Sequence, residues 1–239
     1  MKDILQDLIN HTYDLGCVDL IKIEGTDDET IVSGLASDRS VVIQGKFLSP
    51  VPEFKGTFGM PNLATLKTIL GLEVYQEGAS ITVGSGKHGL DHMHFANNDA
   101  DFENDYRFMV QTIVDDKMKT VKFKGINWHV ELEPTLLAIQ RLKYQSQANS
   151  VEDTFQMKTV DGDLIMTFGD HSSHAGNFVF ESDVEGTIER NWHWPVQHII
   201  NILSLPGDKT MRISDDGATE ITVNSGLAEY TYLLPAQSK

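Results

Sequence analysis

The side chains with chemical potential in this 239-residue chain are nine histidines, one cysteine and 35 acids. His88, His92 and His94 fall within seven residues, and His171 and His174 form a second pair. Imidazoles at such spacings can share one ion, so these five outline a metal-dependent hydrolase. The parts that would complete such a centre are missing: no H-E-x-x-H occurs, Cys17 has no second cysteine, and the nearby acids sit in turn-rich stretches. His92 and His94 alternate along an apolar run, which reads more simply as the wet face of a strand. The string GSGKHG at 84–89 has the glycines and lysine of a phosphate loop, but it lies between two strand-like runs. A phosphate cradle needs a helix start, so a hairpin turn is expected there. No G-x-x-x-x-G-K-[ST] and no nucleophile elbow occur. Adjacent acids such as Asp27-Asp28 carry no information in so acidic a chain. No catalytic residue, metal or cofactor is assigned, and the chain reads as a protein that is not an enzyme.

The formal net charge is −16. An average surface of that sign repels nucleic acid, so any binding to it requires a segregated basic face. Residues 1–115 hold 8 Lys+Arg against 18 Asp+Glu, and 116–239 hold 11 against 17. A single cysteine permits no intramolecular disulfide, and Cys17 is expected as a small buried hydrophobe. No apolar run approaches the length of a membrane span, and MKDILQDLI has helical periodicity instead of a signal-peptide core. The chain reads as cytosolic, a cytoplasmic protein.

The elements that must position these residues repeat. Residues 1–15 and 133–147 are amphipathic helical stretches starting 132 residues apart, and Pro61 and Pro195, 134 apart, each open a second apolar helix. In the first stretch Ile4, Leu5, Leu8, Ile9 and Leu15 form one stripe, with Gly16 as the stop. Short Val- and Ile-rich runs follow each helix, divided by turn signals such as Asp161-Gly162 and Asp216-Gly217. EVYQEG, RFMVQT and TIERNWHW are read as strands, 112–118 as a connector, and the lysine-rich stretch after it as the first strand of the second half. The expected fold is α+β: a duplicated domain, 1–115 and 116–239, with antiparallel sheets and two helices per half on one face.

The polar faces of the four helices carry amides, histidines and a few cations: Lys2, Gln6, Asn10 and His11; Lys67; Gln140, Arg141 and Lys143; Gln197, His198 and Asn201. Any one such face is an ordinary solvated surface. Four of them on an acidic protein amount to partial charge segregation, able to attract phosphates without reading bases. The C-terminal AEYTYLLPAQSK reads as a sealing strand, or as an apolar wall closing on a proline at a peptide groove.

The duplicated two-helix domain, the element order around Pro61–Leu72 and Pro195–Leu205, and the tail YTYLLPA together resemble the DNA polymerase sliding clamps (processivity factors), in particular the shorter tailed-phage type. The tail is similar to a closing strand in which those clamps use Leu-Ala-Pro, with Leu234 here in place of alanine. The resemblance implies a ring-forming homotrimer with sheets outside and helices lining a hole for duplex DNA. Its partners would be a DNA polymerase C-terminal peptide and a clamp loader. It places Lys2, His11, Lys67, Arg141, Lys143 and His198 toward the DNA. Val114, Met118, Tyr232, Leu233, Leu234 and Pro235 would form the partner-peptide pocket, with one of Leu233 and Leu234 left outside the core. Phe108, Val110, Phe178 and Phe180 would lie at the subunit interface. A phage structural protein of tail-tube or baseplate type is the competing non-enzymatic reading, and the hydrolase the enzymatic one.

Overall fold

The computed structural model describes residues 1–87, 89–118, 125–170 and 174–237. The chain divides into two units, residues 1–121 with 225–230, and residues 122–224 with 231–239. The lysine-rich run at 119–124 lies outside the described residues. The boundary expected at 115/116 falls inside a helix.

Unit 1 begins with α1 (Lys2–His11), whose Leu5, Leu8 and Ile9 are fully buried. The helix ends at His11, and Gly16 closes the single 3-10 turn that follows it, so the expected stop is displaced by one short element. Four strands come next: β1 (Leu20–Gly25), β2 (Thr30–Leu35), β3 (Val42–Phe47) and β4 (Gly56–Pro61). Pro61 therefore ends a strand, and α2 (Leu63–Gly71) starts two residues later behind Asn62. Three more strands follow: β5 (Ser80–Gly86), β6 (Gly89–Ala96) and β7 (Glu103–Arg107). EVYQEG contributes only a 3-10 turn at Glu73–Tyr75. RFMVQT is divided among the end of β7, the two-residue β8 (Met109–Val110) and a fifth helix, α3 (Gln111–Lys117), which occupies the expected connector. Antiparallel ladders give one sheet of order β8-β4-β1-β2-β3 and a second of order β5-β6-β7. Alternation sets the core: Ile21 and Ile23 are fully buried, while Lys22 between them points outward to Glu24 and Asp115. Ion pairing with Asp115 and Glu24 raises the Lys22 pKa against the opposing effect of burial, and fastens α3 to β1.

Unit 2 runs through the same plan. After β9 (Val130–Leu132), helix α4 (Leu136–Ala148) is capped by Thr135, whose hydroxyl accepts from the Ala138 amide at 3.1 Å. Four strands follow, β10 (Thr154–Val160), β11 (Asp163–Phe168), β12 (Gly176–Glu181) and β13 (His193–Pro195), then α5 (Val196–Leu203) with Pro195 as its cap residue. Of TIERNWHW only the last two residues enter a strand. Then come β14 (Asp208–Ser214), β15 (Ala218–Asn224) and β16 (Ala228–Pro235). The β10–β11 hairpin turns through Asp161 and Gly162 at φ 52° and 90°, as Asp-Gly was expected to do. The ladders here are β12-β11-β10-β13 and β16-β15-β14-β9. Among the described residues each unit thus contains helix, four strands, helix and three further strands (β5–β7 and β14–β16), with β8 and α3 added after them in unit 1 and β9 before α4 in unit 2. The two main helices of each pack together, α1 on α2 and α4 on α5. The fold is α+β with antiparallel sheets. No helix among the described residues is long and apolar enough to cross a membrane.

Candidate nucleic-acid and partner interfaces

The exposed strip of the unit 1 helices is polar but largely neutralised. Lys2 Nζ donates to the carbonyls of Tyr75 and Gln76 at 3.0 and 3.3 Å, tying α1 to the 3-10 turn. Lys67 is exposed yet pairs with Asp14 at 2.7 Å, beside the Tyr13 ring. Gln6 and Asn10 bond to each other at 2.8 Å.

His11 does not belong to this strip. Its side chain is 1% exposed, because position 11 lies one turn beyond the buried Leu8 and faces the same way. Its ring stacks on Tyr230 with centroids 4.6 Å apart and planes 3° from parallel. The Tyr230 hydroxyl donates to Asp7 Oδ2 at 2.8 Å, and Ser225 donates to the same oxygen at 3.1 Å. Asp7 itself is only 8% exposed. On the other side of Tyr230 a Cβ at Gly45 would lie 2.8 Å from the ring, so only glycine fits there. This buried Asp7–His11–Tyr230 group explains why residues 225–230, late in sequence, belong to unit 1.

The unit 2 helix face differs. Arg141 is exposed and Lys143 half-buried, and neither is in an ion pair among the described residues. Lys209, at the start of β14, has its pKa lowered by burial and by the positive charge of Lys143. The adjacent Asp208 carboxylate opposes this effect, so the positive field of the two ammonium groups is partly offset. Nothing in the sequence marks Lys209, because it stands on a strand, outside any helical pattern. His198 is half-buried, and Gln197 donates to Asn201 at 2.6 Å on the same face. Leu136, Leu137 and Tyr144 of α4 are 85, 56 and 59% exposed, an apolar stripe to which the sequence pattern assigns no role.

Of the expected peptide pocket, the structure takes most of the side chains into the core. Tyr232 and Leu234 are fully buried, Leu233 is 9% exposed, and Val114 is packed against Gly59. Neither leucine is left over, since burial reaches both faces of β16 at this point. Pro235 stays exposed and Met118 half-buried. Met118 lines a groove of about 860 Å³ in unit 1, together with Tyr13, Val18, Leu35, Arg39 and Met109. Cys17 also lines it, half-buried, its thiol pushed up to about 11 by burial first and by Asp38 second.

The expected interface phenylalanines divide similarly. Phe108 (9% exposed) and Phe180 (3%) are core residues, the Phe108 ring tilted against Phe58 with centroids 4.4 Å apart. Val110 and Phe178 are half-buried, on β8 and β12, both terminal strands of their sheets. Among the described residues no three His, Cys, Asp or Glu side chains converge as metal ligands. His88 and His171 lie outside the described residues. His92 and His94 instead share an open sheet face with acids of β6 and β7.

No protein-family model matches the sequence, and no curated protein is similar to it. Solved structures are. PCNA from Thermococcus kodakaraensis matches at TM-score 0.68 and 12% identity, over 99% of this chain and 97% of that one. A. fulgidus PCNA, in a structure with the C-terminal region of FEN-1 bound, matches at 0.69 and 9%, over 100% and 95%. The fold is that of a sliding clamp. The similarity spans nearly the whole chain and so includes the helix pair and the strands of both units.

Proposed function

We propose that this chain is a DNA sliding clamp of the tailed-phage type. Three copies close into a ring around duplex DNA, and the ring tethers a replicative polymerase after placement by a clamp loader. The observation that supports this is the repeated helix–strand plan, matched to PCNA structures over nearly the whole chain. Tethering by encirclement needs only weak attraction to phosphate, and tight pairing would hinder sliding. A face of amides with a few cations meets that requirement while the net charge of −16 repels DNA elsewhere.

The residues proposed to face DNA are Lys2, Lys67, Arg141, Lys143 and His198, with Lys209 added and His11 removed. Copies join through the β12 edge with Phe178 and the exposed α4 stripe on one side, and the β7 edge near the exposed Phe102 on the other. A. fulgidus PCNA holds the C-terminal region of FEN-1. By the same kind of recognition, a polymerase C-terminal peptide is proposed to seat its apolar anchors in the groove at Met109 and Met118. Light scattering tests the ring: a mass of three chains is expected, whereas a long polymer would favour a structural tube. Arg141→Ala with Lys143→Ala should leave that mass unchanged and flatten the salt dependence of DNA retention by about one unit for each phosphate no longer neutralised.

A further inference from the structure

The open face of the β5–β6–β7 sheet carries a connected strip of ionisable groups. His94 Nδ1 is 2.9 Å from Asp105 and its Nε2 3.9 Å from Glu103. His92 meets the Asp91 carboxylate, and Arg107 approaches Asp91 at 3.7 Å and Asp105 at 3.6 Å. Period-two alternation puts Glu103, Asp105 and Arg107 on this face, in register with Ala96, His94 and His92. From β5 the facing residues are Thr82 and Gly84, neither charged. A Cβ at Gly84 would sit 2.1 Å from the His92 ring, so the glycine leaves that imidazole room against β5, and a larger residue would turn the ring aside. The His94 hydrogen bond, with the nearby His92 charge, holds the Asp105 carboxyl below its ordinary range.

We infer that this strip makes subunit association pH-dependent. The inference rests on the ring reading, in which β7 is an edge that another copy of the chain pairs with. With both imidazoles neutral the strip has three carboxylates and one guanidinium, a net −2; with both protonated it is neutral. Each copy is strongly acidic, and the proposed partner edge, β12, ends in Glu181. Histidine is the side chain that gains charge on mild acidification, and a charge gained here removes like-charge repulsion at the contact. Association should tighten as pH falls, and the effect should shrink in high salt, where exposed charges are screened.

The test is sedimentation equilibrium of the full chain at pH 7.5 and 6.0, alongside the variant His92→Gln with His94→Gln. Wild type should associate about fivefold more tightly at pH 6.0 at low ionic strength, the size expected of a few exposed charge contacts. The double variant should show no such step, and circular dichroism checks that it is folded. Asp105→Asn, which keeps both imidazoles, should show a smaller step than wild type. Wild-type rings whose dissociation constant is unchanged between the two pH values, or a double variant that keeps the step, overturn the strip alone. A chain that is monomeric at every pH and concentration overturns the ring reading, and the strip with it.

Discussion

Helices α1 and α4 open the two units at equivalent places, and they depart from the amphipathic ideal in opposite directions. α1 buries polar groups: Asp7 and His11 are 8% and 1% exposed, engaged with Tyr230. α4 exposes apolar ones: Leu136, Leu137 and Tyr144 stand mostly in solvent. The difference teaches that a helical stripe tells where the core is only when the helix has one neighbour to satisfy. α1 serves its own sheet and also a late segment of chain, so part of its polar face is enclosed. The described residues of its own unit leave the stripe on α4 exposed. The units also differ in charge display: among the described residues Lys67 is paired to Asp14 in unit 1, and Arg141 and Lys143 are in no ion pair in unit 2.

The comparison breaks most visibly at Tyr230. Replacing it with alanine removes a fully buried aromatic and one of the hydrogen bonds that satisfy Asp7, and should destabilise the protein by about 4 kcal/mol in urea unfolding. Tolerance of that change would mean that α1 does not depend on the late segment. Next comes α4: Leu137→Glu with Tyr144→Glu should change chain stability by less than about 0.5 kcal/mol, because both side chains are exposed. The same pair should weaken self-association by about a hundredfold, roughly 3 kcal/mol. Trimers that survive it would separate the exposed stripe from assembly.

A smaller effect sharpens the α1 side. Asp7→Asn keeps an acceptor for Tyr230 and Ser225 but replaces charge-assisted hydrogen bonds with neutral ones, at a cost of about 1 to 2 kcal/mol. Smallest is the response of Cys17. Its thiol, raised to about 11 mainly by burial, favours the folded state while neutral, and that contribution disappears as pH rises through the folded value. Alkylation at pH 7.5 should accordingly be much slower in the folded chain than in urea. Equal rates would place the thiol in open water.

Legibility followed the range of the interaction. The repeat, the turn at Asp161-Gly162 and the helix expected over 133–147 could be read because each depends on residues a few positions apart. The extra helix α3 could not, since it is short and its one buried residue, Val114, leaves no periodic stripe. His11 looked solvent-facing because its neighbours on the helix, Lys2, Gln6 and Asn10, are polar. Its partner lies 219 positions away, beyond any local pattern. Lys209 was missed for a related reason: only the fold sets it beside Lys143. In β16 the alternation correctly separated Leu233 from Leu234, yet both are covered, because burial depends on what lies over each face as well as on the period.

By itself the sequence determined the element types, their duplicated order and the charge that makes DNA contact possible only on a segregated face. Those properties follow from spacing, turn chemistry and composition, all of which act within a few residues or over the whole surface at once. The tertiary structure alone decided which polar side chains are enclosed, which apolar ones remain outside, and which cations stand together. These depend on contacts such as Asp7 with Tyr230, between residues more than two hundred positions apart. Burial of a charge is tolerated only where the fold brings hydrogen-bond partners to it, and no local pattern encodes their arrival.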